Sequence, residues 1–162
     1  MSQAIAKDFV RERFEKMNGV VGALLTGSAS LGYIDALTDI DLEIVATPSL
    51  YRKIGAVCGS EQHRGVDVWW EWVTLEELEN TLKDWKEDID LWVYSKSKIL
   101  HDPQHKVERL LAKYRRYPKT VWNEKLFLYW YLATGNAPYD SGKAIQRGDP
   151  LTAQLYLNQA IE

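Results

Sequence analysis

The sequence predicts an α+β fold, in which a small mixed β-sheet with flanking helices is followed by a C-terminal helical bundle portion. Two observations support this prediction. Before residue 85, short apolar runs alternate with amphipathic segments, which is typical of strands that lie between helices. From residue 104 onward, glycines and prolines separate segments of helical periodicity. We therefore expect two domains, residues 1–102 and residues 103–162, and we expect the bundle to continue beyond residue 162.

The elements of the first domain are predicted from apolar spacing and from turn residues. Residues 4–17 repeat apolar side chains at helical spacing, and Asn18-Gly19 is a stop signal. The continuous apolar run over 20–26 predicts a buried strand. The other predicted elements are a strand over 39–46, a helix over 49–57, a strand over 66–73, a helix that begins with a capping box at Thr74, and a last short strand over 98–101.

Four helical segments are predicted for the second domain. The breaks between them fall at Pro118, Gly135, Pro138, Gly148 and Pro150. The predicted helices cover residues 104–116, 119–134, 139–147 and 150–162. The aromatic stripe of the second helix, which includes Trp122, Phe127 and Trp130, is expected to pack in the core between bundle helices.

The composition excludes several classes of protein. With 46% hydrophobic and 27% charged residues, the 162-residue chain is globular rather than disordered or collagen-like. A net charge of −3 provides no overall positive field, which disfavours nucleic acid as a partner. No apolar run reaches 18 residues, so no membrane partner is expected. The lone Cys58 and an N-terminus without a secretion signal favour a cytoplasmic protein.

Acidic side chains on two predicted strands form the first candidate site. In Asp39-Ile40-Asp41, strand geometry places both carboxylates on the same face, roughly 6 to 7 Å apart along the backbone. Two carboxylates at that spacing repel each other unless a cation lies between them, and Mg²⁺ prefers such oxygen ligands. Asp67 completes a three-carboxylate site if its strand lies beside the strand of Asp39 and Asp41.

A glycine-serine pair ends the apolar strand that precedes these acids. Gly27 allows the backbone to approach a ligand closely, and Ser28 can offer its hydroxyl to a phosphate. In order, the pattern is Thr26-Gly27-Ser28, a ten-residue spacer, Asp39-Ile40-Asp41 and Val66-Asp67-Val68. It resembles the signature of the DNA polymerase beta-like nucleotidyltransferase superfamily. The α/β half followed by helices looks like the antibiotic-modifying members of the kanamycin and lincosamide type.

The resemblance implies a metal-dependent nucleotidyltransferase that moves a nucleoside monophosphate, AMP from ATP, to an acceptor hydroxyl. The implied catalytic and metal-binding residues, which hold two Mg²⁺ ions, are Asp39, Asp41 and Asp67. The implied nucleotide-binding residues are Gly27, Ser28 and Lys143. Lys143 is included because the superfamily often uses a basic residue on a C-terminal helix for the nucleotide phosphates. The expected acceptor is a small molecule rather than a protein, and a homodimer remains open.

One departure from the family's pattern concerns positive charge near the glycine-serine pair. Many small bacterial members carry an arginine shortly after that pair, whereas no Lys or Arg occurs here between Lys16 and Arg52. The charge of the phosphates must then be offset by Mg²⁺, by backbone amides and by cations from elsewhere in the chain.

The strand that carries Asp67 is expected to divide its side chains between two faces. Asp67, Trp69 and Glu71 alternate on one face, whereas Trp70 and Trp72 lie on the other, which we assign to the core. Trp69 is a candidate wall of the acceptor or nucleotide pocket. Glu71 lies about 13 Å along the strand from Asp67, so it is expected to be a poor ligand of the same metal pair, although it can sit near the acceptor.

Two other functions remain open from the sequence. The spacing between the glycine-serine pair and Asp39-Ile40-Asp41 also looks like that of minimal nucleotidyltransferases that serve as antitoxins and adenylylate a partner toxin. Those proteins tend to lack a long helical tail, which argues against this assignment. The third possibility is a nucleotide-binding module without catalysis. All three acids argue against such a module, whereas the missing basic residue near the turn favours it.

Overall fold

The computed structural model describes residues 2–32, 39–55, 58–84, 88–114 and 118–159. The chain forms two compact units, Met1–Arg116 and Tyr117–Glu162. A compact unit need not coincide with a domain that folds alone, so the expected boundary after residue 102 stays a prediction. The predicted helix ends at residues 57, 116 and 162 lie outside the described residues.

Five strands form one mixed sheet in the described part of the first unit. They are β1 (Val20–Thr26), β2 (Ile40–Ala46), β3 (Gly59–His63), β4 (Val66–Thr74) and β5 (Lys98–His101). The strand order is β3-β4-β2-β1-β5; β2 and β4 run parallel, and the other neighbours are antiparallel. The predicted α+β fold is therefore confirmed. The sequence did not predict β3, because its residues, Gly-Ser-Glu-Gln-His, carry no apolar alternation.

Helices flank this sheet. They are α1 (Ser2–Arg13), the short α2 (Gly27–Ser30), α3 (Pro48–Ile54), α4 (Leu75–Lys83), α5 (Asp88–Lys96) and α6 (Lys106–Tyr114). Helix α1 buries Ala6, Phe9 and Val10 against the sheet. It ends at Arg13, four residues before the predicted end, and the chain turns through Phe14 towards β1.

An aromatic cluster fixes which face of β4 is buried. The rings of Phe9 and Trp70 lie 5.6 Å apart, and those of Phe14 and Trp72 lie 5.4 Å apart, all packed on the core. Such aromatic pairs stabilise a core beyond the area that they bury. The prediction that Trp70 and Trp72 belong to the core is confirmed. Because strand side chains alternate, the opposite face of β4 remains available for a site.

Thr74 caps helix α4 and ends β4. Its hydroxyl oxygen accepts a hydrogen bond from the Glu77 amide at 3.1 Å, and the Glu77 carboxylate accepts one from the Thr74 amide at 2.8 Å, so the predicted capping box is confirmed. We expect Thr74→Ala to lower the free energy of unfolding by about 1 kcal/mol, measured by chemical denaturation. Thr74→Ser keeps the hydroxyl and serves as the control. Equal stabilities of the Ala and Ser variants would contradict the role of the cap.

Glu79 ties α4 to α6. Its carboxylate accepts hydrogen bonds from the Tyr114 hydroxyl at 2.7 Å and from Lys113 at 3.2 Å. Lys83, one turn along α4, adds an ion pair at 3.1 Å. These donors, the Tyr114 hydroxyl foremost, lower the pKa of Glu79 from 4.5 to about 2.

The lowered pKa of Glu79 makes stability depend on acid. The stabilisation is complete above pH 4.5, where the carboxylate is ionised in both states, and is lost as the pH falls towards 2. We therefore expect the thermal midpoint to fall more steeply over that range in the unaltered protein than in Glu79→Gln. Circular-dichroism melts at a series of pH values measure this difference. Parallel curves for the two proteins would rule out Glu79 as a source of acid sensitivity.

The second unit is helical. It contains α7 (Lys119–Tyr131), a π-helical stretch (Leu132–Asn136), α8 (Ala137–Gln146) and α9 (Pro150–Gln159). The predicted break at Gly135 and Pro138 is wrong, because the π-helical stretch carries the chain from α7 into α8 without a loop. A π-turn shifts the hydrogen-bond ladder by one residue and so can accommodate the missing amide of a proline.

The aromatic stripe of α7 is exposed. No side chain of α7, all of whose residues the structure describes, is buried, and Phe127 is 65% exposed. The prediction that this stripe packs in a core is therefore wrong for these residues. Apolar side chains surround α7 rather than occupying one face, so their spacing could not identify a buried side. In the described part of the chain, none of the helices combines the length and hydropathy that crossing a membrane requires.

Candidate active site

A cavity of about 440 Å³ opens on the face of the sheet opposite Trp72 and α1. Its wall is formed by the end of β1, the middle of β2 and β4, and one side of α5. The lining residues that the structure describes are Thr26, Gly27, Asp41, Leu42, Glu43, Cys58, Trp69, Trp70, Glu71, Val93 and Tyr94. Three of these are acids and none is Lys, Arg or His. The cavity is therefore suited to a ligand that brings positive charge or a metal cation with it.

Gly27 and Asp41 lie against each other in the lining of the cavity. Asp41 lies opposite Thr26 in the antiparallel register of β1 and β2. Gly27 follows with a φ of +60°, and a Cβ atom placed on it would overlap the Asp41 Oδ2 atom. Only glycine meets both demands, because other residues rarely adopt this φ and all of them carry a Cβ atom. The glycine thus forms a cradle for the Asp41 carboxylate.

The backbone around this cradle is held by two hydroxyl groups. The Ser30 hydroxyl donates a hydrogen bond to the Gly27 carbonyl at 2.7 Å, which closes the short α2 turn. The Thr26 hydroxyl donates to the Asp41 carbonyl at 3.4 Å, across β1 and β2. The first hydrogen bond stabilises the turn that begins at Gly27, and the second links the residue before Gly27 to the backbone of Asp41. Ser28, in the same turn, is exposed.

The Asp41 carboxylate experiences repulsion from other acids. Its pKa is raised above the ordinary value of 3.8, first by partial burial and then by the negative charges of Asp39 and Glu71. Asp39, directly before β2, is therefore close enough to act electrostatically on Asp41, as its position two residues earlier predicts. A bound cation relieves this repulsion, and carboxylate oxygens are suitable ligands for Mg²⁺.

The parallel register of β2 and β4 decides which acids of β4 flank Asp41. Asp41 pairs with Trp69, and Glu43 pairs with Glu71. Asp67 and Glu71 are each two residues from Trp69, so their Cα atoms flank the Asp41 position from opposite sides. Glu71 lines the cavity and Asp67 does not. Asp67 pairs with Gln62 of β3, and its role in metal binding stays a prediction.

Glu43 is a buried acid that the sequence did not predict as a site residue. Its side chain is almost inaccessible, at 6% exposure for the residue, yet it borders the cavity. The Tyr94 hydroxyl of α5 donates a hydrogen bond to it at 3.0 Å. The available signal was the acidic alternation of β2, in which Glu43 follows Asp39 and Asp41 at the same period of two.

Trp69 is half exposed and lines the cavity beside Asp41. Its predicted role as a wall of the acceptor or nucleotide pocket stays a prediction. Lys143 lies on α8 in the second unit, where its ammonium group sits 3.9 Å from the centre of the Tyr139 ring. Its contact with nucleotide phosphates also stays a prediction.

Comparisons with known proteins place this geometry in a structural context. A nucleotidyltransferase-like protein from Exiguobacterium sibiricum 255-15 superposes with a TM-score of 0.54 over 99% of this chain, at 12% sequence identity. This chain has a nucleotidyltransferase-like fold. It spans about half, 54%, of that protein's length. Residues 86–162 match the family described as a domain of unknown function, DUF4037. A search of curated proteins found no match.

The likeness in fold does not identify metal ligands, so the assignment of a metal site depends on the side chains around the cavity. Among the described residues, no three His, Cys, Asp or Glu side chains are grouped closely enough to hold a metal ion as they stand. Two observations nevertheless fit a cation. Gly27 forms a cradle against the Asp41 carboxylate in the cavity wall, and the negative charges of Asp39 and Glu71 raise the pKa of that carboxylate. The donor set is all oxygen, which suits Mg²⁺.

Proposed function

We propose that this protein is a Mg²⁺-dependent nucleotidyltransferase that transfers a nucleoside monophosphate, AMP from ATP, to the hydroxyl of a small-molecule acceptor. The observation that carries the proposal is the Gly27 cradle, in which a left-handed glycine lies against the Asp41 carboxylate in the wall of a cavity. The nucleotidyltransferase-like fold supports the same assignment.

The chain's own residues have three tasks in this reaction. Asp39, Asp41 and Asp67 would hold two Mg²⁺ ions, which supply charge neutralisation and lower the pKa of the acceptor hydroxyl when bound. The turn at Gly27 and Ser28 presents backbone close to the terminal phosphates of ATP. Lys143 is the proposed cation for those phosphates.

The proposed reaction is a single nucleophilic substitution at phosphorus. The acceptor oxygen forms a bond to the α-phosphorus of ATP, and the bond between that phosphorus and the oxygen bridging to the β-phosphate breaks. Pyrophosphate leaves with the bonding electron pair, and the acceptor hydroxyl loses its proton to a base. Asp41 is partly buried, and reduced contact with solvent strengthens the electrostatic interactions of the reacting groups.

The first test is ligand-induced stabilisation. We expect Mg²⁺ together with ATP, at a hundred times the dissociation constant, to raise the thermal midpoint by about 5 to 10 °C. Each of the four NTPs is tested with Mg²⁺ and with EDTA, and the EDTA arms serve as the control. No shift with any NTP would contradict both the catalytic proposal and the silent nucleotide-binding module.

A second experiment separates the possible acceptors. ATP labelled at the α-phosphate is incubated with the protein and a bacterial small-molecule extract, and then with a protein extract. We expect label in the small-molecule fraction together with released pyrophosphate. Label on protein would favour the antitoxin-like function instead. Nucleotide binding without any transfer would favour a nucleotide-binding module.

A further inference from the structure

A second carboxylate lies on the cavity side of Asp41. Glu71 of β4 lines the same cavity, whereas Asp67, the acid that the sequence pattern favours, does not. We propose that Glu71 is a member of the cation site of Asp41. This inference rests on the proposed function, because it deepens the assignment of the same metal site.

The register of the two parallel strands provides the geometric argument. Asp41 is paired with Trp69, so Glu71 and Asp67 start from equivalent backbone positions on either side of it. The side chain of Glu71 is one methylene longer than that of Asp67, so its carboxylate can reach farther from the strand. Of these two acids, Glu71 lines the cavity and Asp67 does not. A cation bound to Asp41 on the cavity side therefore has Glu71 as its neighbour.

The exposure and the hydrogen bonding of the Glu71 side chain support its role as a cation ligand. It is exposed, and it makes no hydrogen bond or ion pair with another residue in the described part of the chain. Its negative charge acts on Asp41 across the strand pair. Glu43, the other acid at this level of the sheet, is buried and already accepts the hydrogen bond from Tyr94. Of the two acids that line the cavity beside Asp41, Glu71 is thus the exposed one and Glu43 the buried one.

The Gly27 cradle is an independent reason to place a ligand here. Residues other than glycine rarely adopt the left-handed φ of Gly27, and the overlap of a Cβ atom with Asp41 would displace the carboxylate from this position. The turn at Gly27 therefore leaves room for the Asp41 carboxylate in the cavity wall, and Glu71 lines the same cavity from β4.

The test is a calorimetric titration of the full chain with Mn²⁺ alone, which requires no nucleotide or acceptor. We expect Glu71→Gln to weaken Mn²⁺ binding at least tenfold, because loss of one carboxylate ligand removes both charge and a donor. Glu76→Gln is the matched control, since Glu76 is an exposed acid on α4 outside the cavity, and its affinity should equal that of the unaltered protein. Thermal melts establish that each variant is folded.

The outcomes separate this inference from the proposed function. Mn²⁺ binding that is lost in Asp41→Asn but unchanged in Glu71→Gln would overturn the role of Glu71 and leave the proposed function standing. No Mn²⁺ binding by the unaltered protein would contradict both. Asp67→Asn is titrated in parallel, and a loss of affinity there identifies a further ligand without replacing the result for Glu71.

Discussion

Replacing Asp41 with asparagine is expected to abolish nucleotidyl transfer. Asp41 is the carboxylate in the cavity wall against which Gly27 lies, and the negative charges of Asp39 and Glu71 raise its pKa. Metal-based charge stabilisation contributes several kcal/mol to a reaction of this class, so losing it should slow turnover by about a thousandfold or more. Release of pyrophosphate from Mg²⁺·ATP measures the rate. Turnover within tenfold of the unaltered protein would contradict the catalytic role of Asp41.

The same substitution should not destabilise the fold. The pKa of Asp41 is raised above 3.8 by burial, by Asp39 and by Glu71, so the folded state binds its proton more tightly than the unfolded state does. The contribution of Asp41 to the free energy of unfolding is therefore greatest below pH 3.8, and it is lost as the pH rises through the raised pKa. Asparagine removes this loss. We therefore expect the free energy of unfolding of Asp41→Asn at pH 7, without metal, to equal or exceed that of the unaltered protein.

Replacing Gly27 with alanine is expected to damage both stability and activity. The left-handed φ of +60° costs an alanine roughly 1 to 2 kcal/mol, and the added methyl group must displace the Asp41 carboxylate. We expect chemical denaturation to show this loss of stability. We also expect turnover to fall by about a hundredfold, because a displacement near 1 Å at a catalytic group is sufficient for such a loss.

Gly55 provides the matched control for this substitution. It also has a left-handed φ, +78°, at the end of α3, but a Cβ atom there would meet nothing within 4 Å. Gly55→Ala should therefore lose a similar amount of stability and retain its activity. Equal activities in the two variants would show that the contact between Gly27 and Asp41 is irrelevant to the reaction.

Much of the sheet was predictable from local sequence, because β1, β2 and β4 carry apolar runs or strict alternation. β3 was not, since its mostly polar residues are held only by pairing with β4. The exposure of α7 could not be predicted from its sequence, for a related reason. Helical spacing shows that apolar side chains are present, whereas the surface that they cover depends on tertiary contacts that the spacing does not encode.

The candidate site likewise contains some residues that the sequence predicts and others that it does not. Gly27 and Asp41 were predictable because a short motif requires both residues at close range, and Trp69 followed from strand parity. From the sequence alone, Glu71 can be placed only by its distance along the strand from Asp67. The parallel register adds that Asp41 lies opposite Trp69, midway between the two acids. Register between distant strands is a tertiary property, so the positions of Glu43 and Glu71 in the cavity lining required the structure.

The most direct measurement of the proposed function is a crystal structure of this protein with Mg²⁺ and a non-hydrolysable ATP analogue. The proposal predicts metal density bonded to the Asp41 carboxylate and the triphosphate lying against the turn at Gly27 and Ser28. Metal and triphosphate bound at another surface, with the cavity beside Asp41 unchanged, would contradict it.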